Sequence, residues 1–281
     1  MINGMRLLAA LSLAVVAPLC LQAQAQGPIA PREAGKVRID PDAPPPPIPV
    51  QEIIRQMAAK ETEFRTARGN YTYTQVMVVE EYSSFGDKAG EFRLTSEVVF
   101  TPEGRRHERI TFAPPSTLKT ISMSPEDERD LVNIFPFVFT TNELPLYELT
   151  YLGRQQIDEV GTYVFSVHPR RIEPGHRYFQ GTVWVDDRDL QIVKTYGKAV
   201  PEIRKKNQEN LFPTFETWRR IIDGKYWFPT LTRADDILHF TSQDVRIRLT
   251  VRYSNYKQFK SAVRILSVEP AKPEEKKPPQ Q

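Results

Sequence analysis

The chain has one cysteine, Cys20, in 281 residues. It sits inside the apolar run Leu7 to Leu21, after a short head carrying Arg6 and before the small-residue step Ala23-Gln24-Ala25. That order predicts a signal peptide over residues 1–25, cleaved after Ala25. The remaining chain then has no cysteine, which excludes disulfides and thiol chemistry. Leu19 stands before Cys20 where lipid-anchor processing takes Gly, Ala or Ser, which argues against a lipid-anchored form. Long hydrophobic runs are equally scarce. The one at the start is about 15 residues, against roughly 20 needed to span a bilayer core, and no later segment approaches it. Export is expected, with membrane contact at most peripheral.

Histidine is sparse too. His107, His168, His176 and His239 are scattered, and neither a His-Glu-x-x-His pair nor a cysteine-based spacing offers a metal site. No Gly-x-Ser-x-Gly elbow and no phosphate-binding glycine loop is present. The adjacent carboxylates Asp186-Asp187 and Asp235-Asp236 could in principle share acid and base work. Neighbours on a strand face opposite ways, so both pairs read as turn formers and strand ends. No catalytic residue, metal or cofactor is expected. Charge is nearly balanced: 38 Lys and Arg face 35 Asp and Glu, a net +3 that becomes +2 once Arg6 is removed with residues 1–25. Nothing in that balance calls for a nucleic-acid partner. The short basic clusters at 105–109, 168–171 and 204–206 read as solvated charges.

Proline is abundant, and it is concentrated at the ends. Residues 26–49 contain Pro44-Pro45-Pro46-Pro47 and residues 269–281 read EPAKPEEKKPPQQ, so both are expected to be disordered, solvated segments. Between them, residues 50–268 are expected to form a single β domain. Its dominant signal has period two. Val245, Ile247, Leu249, Val251 and Tyr253 alternate with Arg246, Arg248, Thr250 and Arg252, the pattern of an antiparallel strand with one wet side. Phe92, Leu94, Ser96, Val98 and Phe100 form one face of another strand, Tyr163, Phe165 and Val167 of a third, and Tyr71 to Val79 a fourth. Asp223-Gly224 supplies the positive φ of a two-residue hairpin turn, and Asp187-Arg188-Asp189 separates a second pair of strands. The C-terminal half reads as a meander of neighbouring strands, which argues against a doubly wound α/β fold.

Two helices are expected to interrupt the strands. One runs from Gln51 to Ala67, with Ile53, Ile54, Met57, Ala58 and Phe64 at helical spacing and Gly69 placed to end it. The other starts at Ser124, with Pro125 at its first position, and continues toward Pro136. Its exit, Phe135-Pro136-Phe137-Val138-Phe139, is unusually apolar for a connection. Those aromatics either plug the sheet's inner side or form a movable lid over an apolar pocket. Phe135, Phe137, Val138 and Phe139 are accordingly the candidate ligand-binding residues.

The segments Phe179 to Asp186, Leu190 to Lys194 and Ile222 to Pro229, with their Gly-Thr-Val-Trp-Val-Asp and Asp-Gly-Lys-Tyr-Trp-Phe-Pro steps, resemble the periplasmic outer-membrane lipoprotein-sorting carriers, the LolA/LolB-like superfamily. The resemblance spans roughly Tyr147 to Tyr256, and the insertion Gly197 to Phe212 has no counterpart in it. It implies a mainly β fold: a strongly curved antiparallel sheet, an open or half barrel, with two or more helices covering its concave side. It also implies a periplasmic, non-catalytic carrier that shelters lipid or lipoprotein acyl chains in an apolar cavity. Each exposed methylene costs about 0.8 kcal/mol in water, which is the physical need such a shelter meets. The alternatives are a cell-envelope sensor or scaffold binding a peptide or membrane-protein partner through the same sheet, and a hydrolase. A deep cavity favours the first, a filled core with an exposed groove the second, buried convergent carboxylates the third.

Overall fold

A computed structural model describes residues 37–101, 105–123, 134–205 and 208–259, together with Asp127. The expected signal peptide, the 269–281 tail and, Asp127 apart, the expected second helix through residue 133 lie outside those residues.

Among the described residues there is one α-helix, α1, Val50–Arg68, a residue longer at each end than its apolar spacing indicated. Ile53, Ile54, Met57, Ala58 and Phe64 are buried along one stripe. Gly69 ends the helix by a different device from the left-handed turn expected of it. Its φ is −58°, ordinary right-handed backbone, and its N–H donates to the Thr66 carbonyl. The next residue, Asn70, accepts from the Phe259 N–H at 2.9 Å, which draws the chain directly into the sheet.

The strands are β1 (Tyr71–Tyr82), β2 (Lys88–Phe100), β3 (Arg106–Phe112), β4 (Tyr147–Ile157), β5 (Val160–Pro169), β6 (Tyr178–Asp186), β7 (Ile192–Val200), β8 (Ile203–Lys205), β9 (Gln208–Asn210), β10 (Phe215–Ile222), β11 (Tyr226–His239) and β12 (Asp244–Gln258). Ten of them make one antiparallel sheet in the order β3-β2-β1-β12-β11-β10-β7-β6-β5-β4, left open with β3 and β4 at its edges. It is two meanders, β1–β3 and β4–β12, joined where β1 pairs with β12. The two short strands β8 and β9 form a hairpin of their own within the insertion. Asp223 and Gly224, at φ 52° and 68°, make the expected tight turn between β10 and β11.

One buried cluster unites α1 with inward residues of β1, β4–β7 and β10–β12, among them Met77, Tyr147, Phe165, Phe179, Ile192, Phe215 and Leu249. Ten flat strands about 4.8 Å apart would spread over roughly 43 Å, while a helix is about 10 Å across. Strands from both halves share a core with one helix only if the sheet curves around it.

The outer face is wet where the alternation predicted it, and covered elsewhere. Along β12 the apolar residues are buried and the intervening arginines exposed or half-buried. On the outside of β5–β7, however, Val164, Trp184, Val193 and Trp227 form a second buried cluster, with Ile39 packed against it. Residues 37–49, the latter part of the segment read as a disordered linker, are therefore held on the sheet, and the Asp40 N–H donates to the Arg154 carbonyl at 2.8 Å. Apolar Ile39 and Ile48 each find a core cluster, which composition dominated by proline had hidden.

Candidate functional site

The segment Ile134 to Phe139 crosses the inner side of the sheet. Phe137 stacks on Phe179 with ring centroids 4.4 Å apart and meets Tyr147 edge-on at 5.8 Å. Phe139 also packs on Tyr147, and Phe135 lies against Phe212 and Phe215. Two side chains of β10 tie the segment down by its backbone: Thr217 Oγ1 donates to the Phe135 carbonyl at 2.8 Å, and Arg219 Nη2 donates to the Phe137 carbonyl. Those contacts make the segment part of the core, and it also walls two cavities.

The larger cavity is about 1050 Å³ and lies at the C-terminal end of α1. Phe100, Ile134, Pro136, Phe137 and Val138 supply an apolar wall; Arg65, Arg68, Glu143, Tyr147 and Arg177 supply a polar one. Glu173 and His176, exposed on the β5–β6 connection, stand at its mouth. A second cavity of about 230 Å³ is lined by Phe135 with apolar side chains including Val79, Ile121, Met123, Phe212, Leu238 and Leu249. Phe137 and Val138 thus border the first, Phe135 the second, and Phe139 is buried against Tyr147.

The polar wall is mostly committed. Glu143 takes Arg65 Nη2 at 2.5 Å on one oxygen and both the N–H and hydroxyl of Thr140 at 2.8 Å on the other. Arg177 Nη2 donates to Asn210 Oδ1 at 2.6 Å. Tyr147 accepts from the Phe179 N–H at 3.3 Å, and burial pushes its phenol up to about 12. Behind the cavity, Glu61 and Arg219 form an ion pair with neither residue more than 2 % exposed. Arg68 differs. Its guanidinium stands over the rings of Phe64 and Phe100, at 5.9 and 5.5 Å from their centroids, and among the described residues it meets no carboxylate.

The paired carboxylates take structural roles. Asp186 Oδ1 accepts the N–H groups of Arg188 and Asp189, forming the β6–β7 turn, and Asp187 binds Arg154. Asp235 pairs with Arg246 and Arg248, and Asp236 accepts the Thr214 N–H at 2.8 Å. His168 and His239 lie beside Glu148 and Asp244. Among the described residues no group of three His, Cys, Asp or Glu side chains could hold a metal, and no helix is long and apolar enough to cross a membrane. Glu61 was overlooked in the sequence although it has a signal there: four residues after Met57 and three before Phe64, it sits on the apolar stripe. Arg68 carries no such signal, since a basic residue in a helix's last turn is ordinary.

No protein-family model matches the chain, and no curated protein does. Among solved structures it is similar to a LolA superfamily protein from Nitrosomonas europaea, at 13% identity over 76% of this chain and 94% of that one, with a TM-score of 0.35. It is similar to a DUF1329 family protein from Desulfovibrio piger at 13% identity over 75% and 93%, with a TM-score of 0.38. A third likeness is to an outer membrane lipoprotein-sorting protein domain from Vibrio parahaemolyticus, at 12% identity over 72% and 92%, with a TM-score of 0.34. The first is named for the LolA superfamily and the third for outer membrane lipoprotein sorting, both of them names that the resemblance drawn from the hairpin segments also carries. At these TM-scores the likenesses carry no argument about the site or its ligand.

Proposed function

We propose that the protein is a non-catalytic periplasmic carrier that takes the acyl chains of a lipid or lipoprotein into the cavity at the C-terminal end of α1. The observation that carries the reading is the cavity itself: about 1050 Å³, bounded on one side by Phe100, Ile134, Phe137 and Val138. Ligand sites run roughly 300–1,000 Å³, and this one is lined about as much by polar side chains, among them Arg65, Arg68, Glu143 and Arg177, as by apolar ones. The polar wall makes an amphiphile a better occupant than a bare hydrocarbon. Its chain would lie against the aromatics and its head toward the arginines.

Native mass spectrometry of protein purified from its own envelope tests this directly, and co-purifying lipid is the expected result. Leu146 lines the cavity yet is 44 % exposed, so Leu146→Trp should fill space without disturbing the core. It should weaken saturable binding of a fluorescent fatty acid while leaving the melting temperature in place. A wild-type protein with no saturable acyl binding would overturn the carrier.

A second reading, an envelope sensor or scaffold that binds a peptide or membrane-protein partner, draws support from β3. Among the described residues that edge strand pairs with β2 alone and exposes Ile110 and Phe112, so its outer edge offers a site for strand addition.

A further inference from the structure

Arg68 is a cation set in a cavity wall without a counter-ion among the described residues. Arg68 is half-buried; its Nε has neither solvent contact nor a hydrogen-bond partner, and the guanidinium stands over the Phe64 and Phe100 rings. Burial pulls its pKa down, opposed by the Tyr73 and Tyr256 phenols and reinforced by Arg65 and Arg219. Those two arginines have their own acids, Glu143 and Glu61. Among the described residues this corner therefore holds three guanidinium groups against two carboxylates.

The magnitudes say that stacking does not balance the account. A cation over an aromatic ring is worth about 0.5–2 kcal/mol. Arg68 is half-buried, so part of the desolvation cost of an unpaired ion falls on it. The carbonyl end of α1 adds about 0.3–1 kcal/mol of favourable field, and its last carbonyls are already taken by the Gly69 and Asn70 N–H groups. A residual positive potential is left facing the cavity. Among the described residues, the acids that line the cavity do not cancel it: Glu143 is bound to Arg65 and Thr140, and Glu173 is exposed at the mouth.

Building on the carrier reading, we propose that Arg68 is the anchor for the anionic head of the bound amphiphile, a carboxylate or phosphate ester whose chain runs along Phe100 and Phe137. The guanidinium donates charge-assisted hydrogen bonds to the head, and the chain is sheltered by the Phe100 and Phe137 wall beside it. A neutral lipid of equal chain length would fill the apolar wall and leave the cation unmatched.

Isothermal titration with dodecyl phosphate, dodecanol and inorganic phosphate, each below its aggregation limit, separates the possibilities. Wild-type protein is expected to bind dodecyl phosphate about tenfold or more tightly than dodecanol, the factor that one charge-assisted hydrogen bond gives. Arg68→Met should abolish that preference and leave dodecanol binding unchanged, while Arg68→Lys should keep most of it. Inorganic phosphate should bind far more weakly than dodecyl phosphate; equal affinities would mark a free-anion site and overturn the proposal. Equal affinity of wild type for the two dodecyl compounds would also overturn it, with the carrier still standing. Binding of neither dodecyl compound would take down the carrier reading and this inference with it. The wild-type comparison decides the matter even if Arg68→Met fails to fold.

Discussion

Glu61 and Arg219 meet inside the protein, Nη1 to Oε1 at 2.8 Å and to Oε2 at 3.1 Å, and join four parts of the fold at one point. Glu61 comes from α1 and also accepts the Ile192 N–H of β7 at 3.3 Å; Arg219 comes from β10 and also holds the carbonyl of Phe137. Removing one partner strands the other charge. Glu61→Leu is therefore expected to cost about 3–5 kcal/mol in chemical denaturation, while Glu61→Leu with Arg219→Met should cost clearly less because no lone ion remains. A single substitution costing under about 1 kcal/mol would show that water reaches the pair.

On β12 the two faces should respond differently. Leu249 is 3 % exposed in the core, and Leu249→Asp would bury a carboxylate without a partner, at a cost of several kcal/mol. Arg248 on the other face is half-buried, bonded to Asp235 at 3.0 Å and to the Tyr82 hydroxyl at 2.8 Å. Arg248→Ala should cost about 1 kcal/mol or less, as exposed pairs do. Equal shifts in melting temperature would mean that this outer face is also covered.

That strand was legible because period two alone decides its burial, and nothing distant competes. The hairpin segments behind the family resemblance likewise fall on β6, β7, β10 and β11, where tight turns set the pairing. Other features needed contacts remote in sequence. Gly69 stands at the helix end as expected, but pairing of Tyr71 with Gln258 supplies the stop, 187 residues apart along the chain. The second buried cluster depends on Ile39 reaching Trp184 and its neighbours, and no local pattern announces that. The candidate residues Phe135, Phe137, Val138 and Phe139 were visible as an apolar connection. What they border depends on how far the sheet curves, which is set by the β1–β12 pairing. Arg68 was illegible for the same reason, since Phe100 comes over it only through β2.

Gly153 marks where the N-terminal segment docks. Its φ is 138°, and a Cβ added there would lie 2.4 Å from Ile39 Cγ2. Gly153→Ala should thus strain β4 and push Ile39 off the sheet, costing about 1–3 kcal/mol. Limited proteolysis provides the readout. Cleavage between residues 37 and 49 should become much faster while the sheet stays protected, and an unchanged pattern would show that the segment is held from elsewhere.

Alkaline titration probes the inner aromatic wall. Burial, followed by the hydrogen bond its hydroxyl donates to Asp223 at 2.8 Å, pushes Tyr71 up to about 12, and burial pushes Tyr147 to the same value. Burial also drives Tyr253 and Tyr256 upward. An unfolded tyrosine ionises near 10, so between about 10 and 12 the unfolded chain binds fewer protons than the native one. The stability these groups contribute is fully present below about pH 10 and is lost as the pH climbs through their folded values. Phenolate absorbance and circular dichroism followed together provide the readout for Tyr71, Tyr147, Tyr253 and Tyr256. These four should ionise only as the sheet signal collapses, above about pH 11. If these four titrate near 10 with the fold unchanged, the inner wall is open to water, and neither the aromatic core nor a sheltered cavity behind it survives.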